Sequence, residues 1–371
     1  MTETSDVSSE DNLRLNVMLA QKPQAVRIDE SSMVVRALTV KGEARVELSP
    51  DCEEAAYLRK VKAMLSSRVM GSPGGFPVFL KRWTRMGQTR DDNLEQLLLL
   101  GESEAVVAVA HAPGLTSTLA KYVWWALPDA SNARVMLRNK AVADSEIGRE
   151  LASFLLEFLP FEEEASDMLE SVRLVLQNGL IEEDEKHELW RRAQSKRSML
   201  VGFLHALPDA LPVTVPAHAD YTSLCQAEGE RQDPVISTLV RVFSPQGQAF
   251  IQTSELAMAK VSDQNVTVLL FNAIANYFQL ARPGDMVYQD VDELEQAINN
   301  LEWEYGPEFD AYARSIWFLS SISEAMLNPI FARTDAIGSG MRRKIKPVTD
   351  RIFHHLGMLK SLNRPLPPEL N

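Results

Sequence analysis

Residues 117–137 read STLAKYVWWALPDASNARVML, and residues 149–169, which lie 32 positions later, read RELASFLLEFLPFEEEASDML. The matched positions are mostly apolar and pair Leu119 with Leu151, Val123 with Leu155, Ala133 with Ala165, Met136 with Met168 and Leu137 with Leu169. A repeat of about 32 residues has the length of one helical hairpin, which buries its apolar face only by stacking on a neighbour. Because proline cannot continue a helix, Leu127-Pro128 and Leu159-Pro160 each predict a helix end.

A second offset, of 65 residues, supports the same interpretation. It superposes Val107 on Val172, Gly114 on Gly179, Leu115 on Leu180 and Trp125 on Trp190. The alternative is that an all-helical chain produces such matches by chance. We predict a strand-free stack of helical hairpins over residues 91–212, with Trp125 and Trp190 mostly buried at equivalent positions.

Residues 26–48 show a different periodicity. Val26 and Ile28 alternate with polar neighbours, and two runs rich in β-branched residues flank the turn at Lys41-Gly42. This pattern predicts a β-hairpin. The fold class that we predict is mainly α: a HEAT-like or irregular α-solenoid of helical hairpins with a small N-terminal β-hairpin element.

Helix starts in the C-terminal half share one pattern, a capping residue followed by proline at the first helical position. The pattern occurs at Asp233-Pro234, Ser244-Pro245 and Gly306-Pro307. We divide the chain into four regions: 1–12, a disordered tail; 13–50, the N-terminal β element; 51–212, the helical-hairpin repeats; and 213–371, a C-terminal helical region.

The composition indicates a soluble cytoplasmic protein. The chain has 371 residues, of which 51 are acidic and 38 basic, so its formal charge is −13. This charge disfavours binding of nucleic acid or anionic lipid over the whole surface. Only two cysteines occur and residues 1–6 contain no basic or apolar run, which fits a reducing compartment and no signal peptide. We expect no membrane association.

No motif for catalysis, metal binding or a cofactor is present in the sequence. The glycine-rich loop 71–75 lacks the Gly-Lys-Ser/Thr of a phosphate loop, and the six histidines lack ligand spacing. Cys52 lies among Asp51, Glu53 and Glu54, whose charges disfavour a thiolate, and Cys225 has no basic neighbour. We expect both cysteines to be small buried apolar residues, and a sulfur-carrying role is the alternative.

Two basic segments stand out in this acidic chain. The first contains Lys81, Arg82, Trp83 and Arg85, and the second contains Arg342, Arg343, Lys344 and Lys346. Bases interleaved with an aromatic residue can bind single-stranded nucleic acid. The alternative is that each segment is a solvated helix face, or docks on acidic side chains of the protein's own surface. The acidic runs 162–164 and 182–185 form a candidate acidic ridge for that docking.

Five segments of the first half of the chain together resemble one protein family. They are residues 71–78 (GSPGGFPV), 80–88 (LKRWTRMGQ), 94–102 (LEQLLLLGE), 111–115 (HAPGL) and 124–130 (WWALPDA). Together they resemble the DsrS family of the dissimilatory sulfite reductase (Dsr) system, over about residues 13–215. The resemblance implies a cytoplasmic accessory protein of bacteria that oxidise stored sulfur. It implies no known catalytic activity, and it supplies no site residues.

We therefore expect a non-enzymatic accessory or regulatory protein of dissimilatory sulfur oxidation that acts through protein–protein contacts. Other proteins of the Dsr system are the candidate partners, and the oligomeric state is left open. Two alternatives belong to different classes. One is a nucleic-acid-binding regulator that uses the basic segments, and the other is a sulfur-transfer protein that uses Cys52 or Cys225.

Overall fold

The computed structural model describes residues 7–71, 93–177, 179–228, 233–302 and 307–360. The chain forms two compact units that meet in sequence at Glu157 and Phe158. This division falls inside the region 51–212 that the sequence assigns to helical repeats. Both units are mainly helical, and the N-terminal unit also holds one small sheet.

The N-terminal unit begins with a helix, a sheet and a second helix: α1 (Ser9–Ala20), β1 (Ala25–Asp29), β2 (Val34–Thr39), β3 (Gly42–Glu47) and α2 (Glu54–Met70). Short helices follow: α3 (Leu94–Leu97), α4 (Ser103–Ala110), α5 (Ser117–Ala126), α6 (Ala130–Leu137), α7 (Lys140–Ala143) and α8 (Glu146–Phe158). Gly71 ends α2 with a left-handed backbone (φ +68°), which glycine adopts at low cost.

The sheet is antiparallel with strand order β1-β2-β3. The predicted hairpin is confirmed as β2 and β3, which pair from Thr39 and Gly42 outward, and β1 adds a third strand. Alternate side chains of the three strands face the helices. These residues form one buried core with α1 and α2: Val26, Val35, Ala37 and Val46 from the sheet, and Leu15, Met18, Tyr57, Val61 and Leu65 from the helices.

The sequence analysis missed α1 (Ser9–Ala20), because it placed residues 9–12 in the disordered tail and 13–20 in the N-terminal β element. A buried carboxylate holds this helix on the unit. Asp11 accepts a hydrogen bond from the Tyr57 hydroxyl (2.5 Å) and another from the backbone N–H of Ser49 (2.8 Å). The side chain of Ser8 caps the helix by accepting from the N–H of Asp11. Burial, and then the Asp11 hydrogen bond, raise the pKa of Tyr57.

The C-terminal unit contains helices joined by short connections. They are α9 (Ala165–Val175), α10 (Glu183–Ser195), α11 (Ser198–Ala206), α12 (Tyr221–Glu228), α13 (Pro234–Phe243), α14 (Pro245–Ala259), α15 (Gln264–Phe278), α16 (Val291–Asn299), α17 (Pro307–Ser321), α18 (Asn328–Phe331) and α19 (Gly338–Met358). The predicted starts at Pro234 and Pro245 are confirmed, and the Asp233 and Ser244 side chains cap the first-turn N–H groups. Helix α17 begins at Pro307, as predicted.

Two sharp corners depend on glycine. In Ser145-Glu146-Ile147-Gly148 and Ser244-Pro245-Gln246-Gly247, glycine follows three residues after the serine that precedes the helix. A Cβ atom at Gly247 would lie under 3.0 Å from the carbonyl oxygens of Arg241 and Val242, a distance that real Cβ atoms essentially never show. A Cβ atom at Gly148 would likewise lie under 3.0 Å from the carbonyl oxygens of Val142 and Ala143. Each helix therefore turns directly against the end of the one before it.

The helix ends predicted from Leu-Pro pairs are confirmed. Helices α5 and α8 end at Ala126 and Phe158, directly before the two predicted Leu-Pro pairs. A third pair, Leu207-Pro208, follows the end of α11 at Ala206 in the same way. Of the described residues between 93 and 212, none belongs to a β-strand. The HEAT-like stack of hairpins stays a prediction.

Trp125 and Trp190 are each more buried than exposed, as predicted, although neither is fully buried. The guanidinium of Arg27 lies 4.7 Å from the Trp125 ring centroid, and the indole N–H donates to Glu43 (3.3 Å). Trp190 packs edge-on against Phe203 at 4.9 Å. Part of the cover over Trp125 therefore comes from Arg27 of strand β1, which is distant in sequence.

Candidate functional site on the C-terminal basic helix

Helix α19 carries the second basic segment and has two distinct faces. Its buried stripe recurs every three or four residues and consists of Met341, Ile345, Val348, Ile352 and Leu356. This is the spacing of an amphipathic helix. Its charged residues lie on the opposite side, where Arg343, Lys344, Lys346 and Asp350 are exposed. The sequence therefore fixes the orientation of the helix through its apolar stripe.

The four predicted bases of α19 have different environments. Arg342 is half-buried and donates to the backbone carbonyl of Val261 (2.9 Å), so it ties α19 to the residues that follow α14. Lys346 pairs with Asp350 one turn along the helix (2.5 Å). Arg343 and Lys344 are exposed, and neither has an ion-pair partner in the part of the chain that the structure describes. The first basic segment, Lys81, Arg82, Trp83 and Arg85, lies outside the described residues.

The remaining C-terminal bases pair with nearby acids. Arg351 lies 3.7 Å from Asp292 and 3.3 Å from Glu295 of α16, and Lys360 pairs with Glu255 of α14 (2.5 Å). These acids do not belong to the candidate acidic ridge. Within the ridge, Glu183 pairs with Lys186, and Glu182 and Glu185 cap the start of α10. Local partners therefore engage these ridge carboxylates.

A groove of about 370 Å³ lies between the end of α14 and α19. We call it the basic groove. It is lined by apolar residues, Met258, Ala259, Ile345 and Phe353, and by polar ones, Ser339, Arg342, Arg343, Lys346, Thr349 and Asp350. Three of these side chains are basic and one is acidic. The lining therefore suits a group that has both an apolar side chain and a carboxylate.

A second groove, of about 650 Å³, lies on the other side of α19 against α16 and α17. We call it the histidine groove. Its lining is Glu295, Ile298 and Asn299 from α16, Arg314 from α17, and Pro347, Asp350, Arg351, His354 and His355 from α19. Arg314 donates to the side-chain oxygen of Asn299 (3.2 Å), and Arg351 is paired with Glu295. Charges of both signs therefore balance within this groove.

His355 is held in one tautomer in the histidine groove. Its Nδ1 lies 3.2 Å from the Ser315 hydroxyl, which donates its own hydrogen to the carbonyl of Ala311 (3.0 Å). Nδ1 therefore carries the proton and donates to Ser315, and Nε2 keeps its lone pair. The ring stacks on Phe318 at 4.0 Å. Burial, and then the charges of His354 and Arg351, lower the pKa of His355 to about 3, so it is neutral near pH 7.

The lining of the histidine groove includes no hydroxyl or thiol side chain that a neutral imidazole could activate as a nucleophile. In the described ranges, no group of three or more His, Cys, Asp or Glu side chains is placed to hold a metal ion. The contacts that the groove shows are the Arg314–Asn299 hydrogen bond, the Arg351–Glu295 pair and the stacking of His355 on Phe318.

Both cysteines are exposed, so the expectation that they are small buried residues is wrong. Cys52 follows the sheet and precedes α2, and Cys225 lies in α12. Neither one lines the basic groove or the histidine groove. A cysteine in a cleft beside basic residues would favour sulfur transfer, and these two grooves do not provide one.

Sequence reasoning missed the histidine groove and the apolar lining of the basic groove. The signal within the sequence was the adjacent pair His354-His355 near Arg351, but the facing residues come from α14, α16 and α17. Within the described residues, no helix combines the length and apolar character needed to cross a bilayer. Comparison of the chain with protein-family models, curated proteins and solved structures finds no match.

Proposed function

We propose that this chain is a non-enzymatic binding protein that holds an acidic, amphipathic segment of a protein partner in the basic groove. One observation carries the proposal: Arg343 and Lys344 are exposed and lack ion-pair partners in the described residues, whereas Lys346, Arg351 and Lys360 are paired. Arg343 lines the basic groove, whereas Lys344 is not among its lining residues and adds positive charge to the adjoining surface of α19. In a chain of charge −13, these two bases form a local attractive site for carboxylates.

The expected magnitudes explain why the partner should be amphipathic. An exposed ion pair contributes only about 0–1 kcal/mol, so two pairs supply orientation and association rate more than affinity. Burial of apolar surface contributes roughly 25 cal/mol per Å². Phe353 and Ala259 offer accessible apolar surface in the groove, whereas Met258 and Ile345 form its already buried floor. A segment with carboxylates on one side and apolar side chains on the other uses both contributions.

The resemblance to the DsrS family supports a proposal about the pathway as well. It supports an accessory or regulatory role in dissimilatory sulfur oxidation in the cytoplasm, with other Dsr-system proteins as the first partners to test. The proposal retains the HEAT-like or irregular α-solenoid, because stacked helical hairpins present extended surfaces for such partners.

The basic groove yields the first prediction. Reversal of both free bases, in Arg343→Glu/Lys344→Glu, should weaken binding of a labelled amphipathic Leu/Glu peptide by about ten- to a hundred-fold, because the charge changes sign in the groove lining at Arg343 and on the adjoining helix surface at Lys344. The measurement is fluorescence anisotropy at about 150 mM salt, where Debye screening is significant but incomplete. A scrambled peptide of the same composition should bind more weakly to the wild type.

The matched control is Lys22→Glu/Arg59→Glu, which makes the same change in net charge at two exposed bases of the N-terminal unit. This variant should bind the peptide with nearly the wild-type affinity. Equal losses in the two double variants would mean that net charge, and not the basic groove, determines binding. Unchanged affinity in Arg343→Glu/Lys344→Glu would contradict the proposal.

The cysteines give the second prediction. Cys52→Ser/Cys225→Ser should bind the same peptide normally and should support sulfur oxidation in cells, because neither thiol lines the basic groove. The measurements are peptide affinity and consumption of stored sulfur at matched protein levels. Normal binding with lost sulfur oxidation would favour the sulfur-transfer alternative.

A further inference from the structure

Strand β3 has an open edge. The N–H of Leu48 donates to the carbonyl of Met33, 2.9 Å away. In the β2–β3 register, the backbone groups of Val46, Ala44 and Gly42 point in the same direction as those of Leu48, toward β2. In an antiparallel pair, alternate residues point their backbone groups toward the neighbouring strand. The N–H and C=O groups of Glu43, Arg45 and Glu47 therefore point away from β2, and they have no hydrogen-bond partner in the described residues.

The opposite edge of the sheet is covered. The N–H of Val26 in β1 donates to the carbonyl of Leu98 (2.8 Å), and Arg27 forms a parallel bridge with Gly101. Exposed strand edges promote association with other chains, and proteins usually cover or pair them. The edge of β3 is therefore the position at which the sheet can be extended.

An apolar strip of α1 lies beside this edge. The side chains of Leu13 and Val17, one turn apart, are 66% and 55% exposed. They line a groove of about 560 Å³ with Ala44 and Val46 of β3. The charged residues nearby form exposed pairs, Arg14 with Glu10 and Arg45 with Glu47, and such weak pairs can exchange partners. The groove therefore suits an apolar surface next to an extended backbone.

We infer that the occupant of this edge is β3 of a second copy, paired antiparallel around a two-fold axis at Ala44, so that two three-stranded sheets become one. This register sets Glu43 of each copy opposite Arg45 of the other, and Glu47 opposite Lys41. Opposite charges in directly facing positions favour pairing. A register centred on Arg45 would instead place Arg45 against Arg45 and Glu43 against Glu47.

The same symmetry accounts for the apolar strip. A two-fold axis perpendicular to the sheet keeps both α1 helices on one face, so that the Leu13 and Val17 strips of the two copies approach each other across the axis. An isologous contact of this kind uses one self-complementary patch and closes on itself. This inference concerns the N-terminal unit and does not depend on the proposed function of the basic groove.

The test is sedimentation equilibrium of the full chain up to about 100 µM, because association depends on concentration. We expect a reversible dimer. Arg45→Pro removes only an outward N–H, which edge strands tolerate, and should weaken the dimer on the order of a hundred-fold. Glu47→Lys should weaken it about ten-fold, and Lys41→Glu/Glu47→Lys should restore it by exchanging the facing charges.

A wild-type chain that stays monomeric across this range would overturn the inference and leave the edge to a different extended peptide. A dimer that neither Arg45→Pro nor Glu47→Lys weakens would also overturn it, because another surface would then hold the copies together. If Arg45→Pro fails to fold, as judged by circular dichroism, the charge exchange decides alone. Failure of the double variant to restore the dimer would refute the proposed register.

Discussion

Replacement of Gly247 with alanine should destabilise the C-terminal unit by at least about 3 kcal/mol, because overpacking against backbone cannot relax by a side-chain rotation. The added Cβ would collide with the carbonyl oxygens of Arg241 and Val242, which close the end of α13. To accommodate it, α14 would have to move away from α13, and the core around Phe243 and Phe250 would open. The measurement is urea unfolding followed by circular dichroism.

Gly357 provides a matched control, because it also lies within a helix and a Cβ there would meet nothing within 4 Å. Gly357→Ala should stabilise the protein by about 0.5–1 kcal/mol through the higher helix propensity of alanine. A loss of less than about 1 kcal/mol in Gly247→Ala would mean that the corner is not tightly packed.

Acidification should destabilise the C-terminal unit through His355. Its pKa is lowered to about 3 in the folded chain, mainly by burial, whereas an unfolded histidine has its pKa near 6.5. Between these values the unfolded state binds a proton that the folded state does not. The free energy of unfolding is therefore undiminished above pH 6.5. It falls as the pH decreases toward 3, by up to about 1.4 kcal/mol per pH unit.

The comparison variant is His355→Gln, which does not titrate and can still donate to Ser315. From pH 7 to pH 5, the wild type should lose roughly 2 kcal/mol more than this variant. His205, whose pKa is also lowered by burial, contributes equally to both proteins. The titratable and charged residues that line the groove with His355 are Asp350, Arg351 and His354 on its own helix, Arg314 on α17 and Glu295 on α16. The range ends at pH 5 because carboxylates titrate below it.

Parallel pH profiles for the two proteins would show that His355 becomes protonated without cost in the folded state. The burial beside Ser315 and Phe318 described above would then be incorrect. A steeper profile for His355→Gln than for the wild type would contradict the sign of the effect.

Local chemistry was enough to predict several elements of the fold. The hairpin follows from alternating β-branched residues around Lys41-Gly42, and helix ends follow from Leu-Pro pairs, because both depend on neighbours in sequence. Helix α1 was missed because its attachment depends on Asp11 meeting Tyr57, a residue 46 positions away. The partial cover over Trp125 likewise depends on Arg27 and Glu43, which local periodicity does not reveal.

The candidate site was predictable to a similar extent. The sequence identifies α19 as basic and amphipathic, since its apolar stripe and its charges are both local. It does not reveal which bases are paired, because Glu255, Asp292 and Glu295 lie far from their partners in sequence. Both grooves need side chains from other helices, so neither could be located without the fold.

The central claim is that the basic groove binds an acidic protein segment and not a nucleic acid. The most direct measurement titrates the wild type with a labelled single-stranded oligonucleotide and with the Leu/Glu peptide at several salt concentrations. We predict peptide binding that is lost in Arg343→Glu/Lys344→Glu, and no oligonucleotide binding at or below about 10 µM near 150 mM salt. Micromolar oligonucleotide binding, with a steep salt dependence that the same double variant removes, would contradict this account.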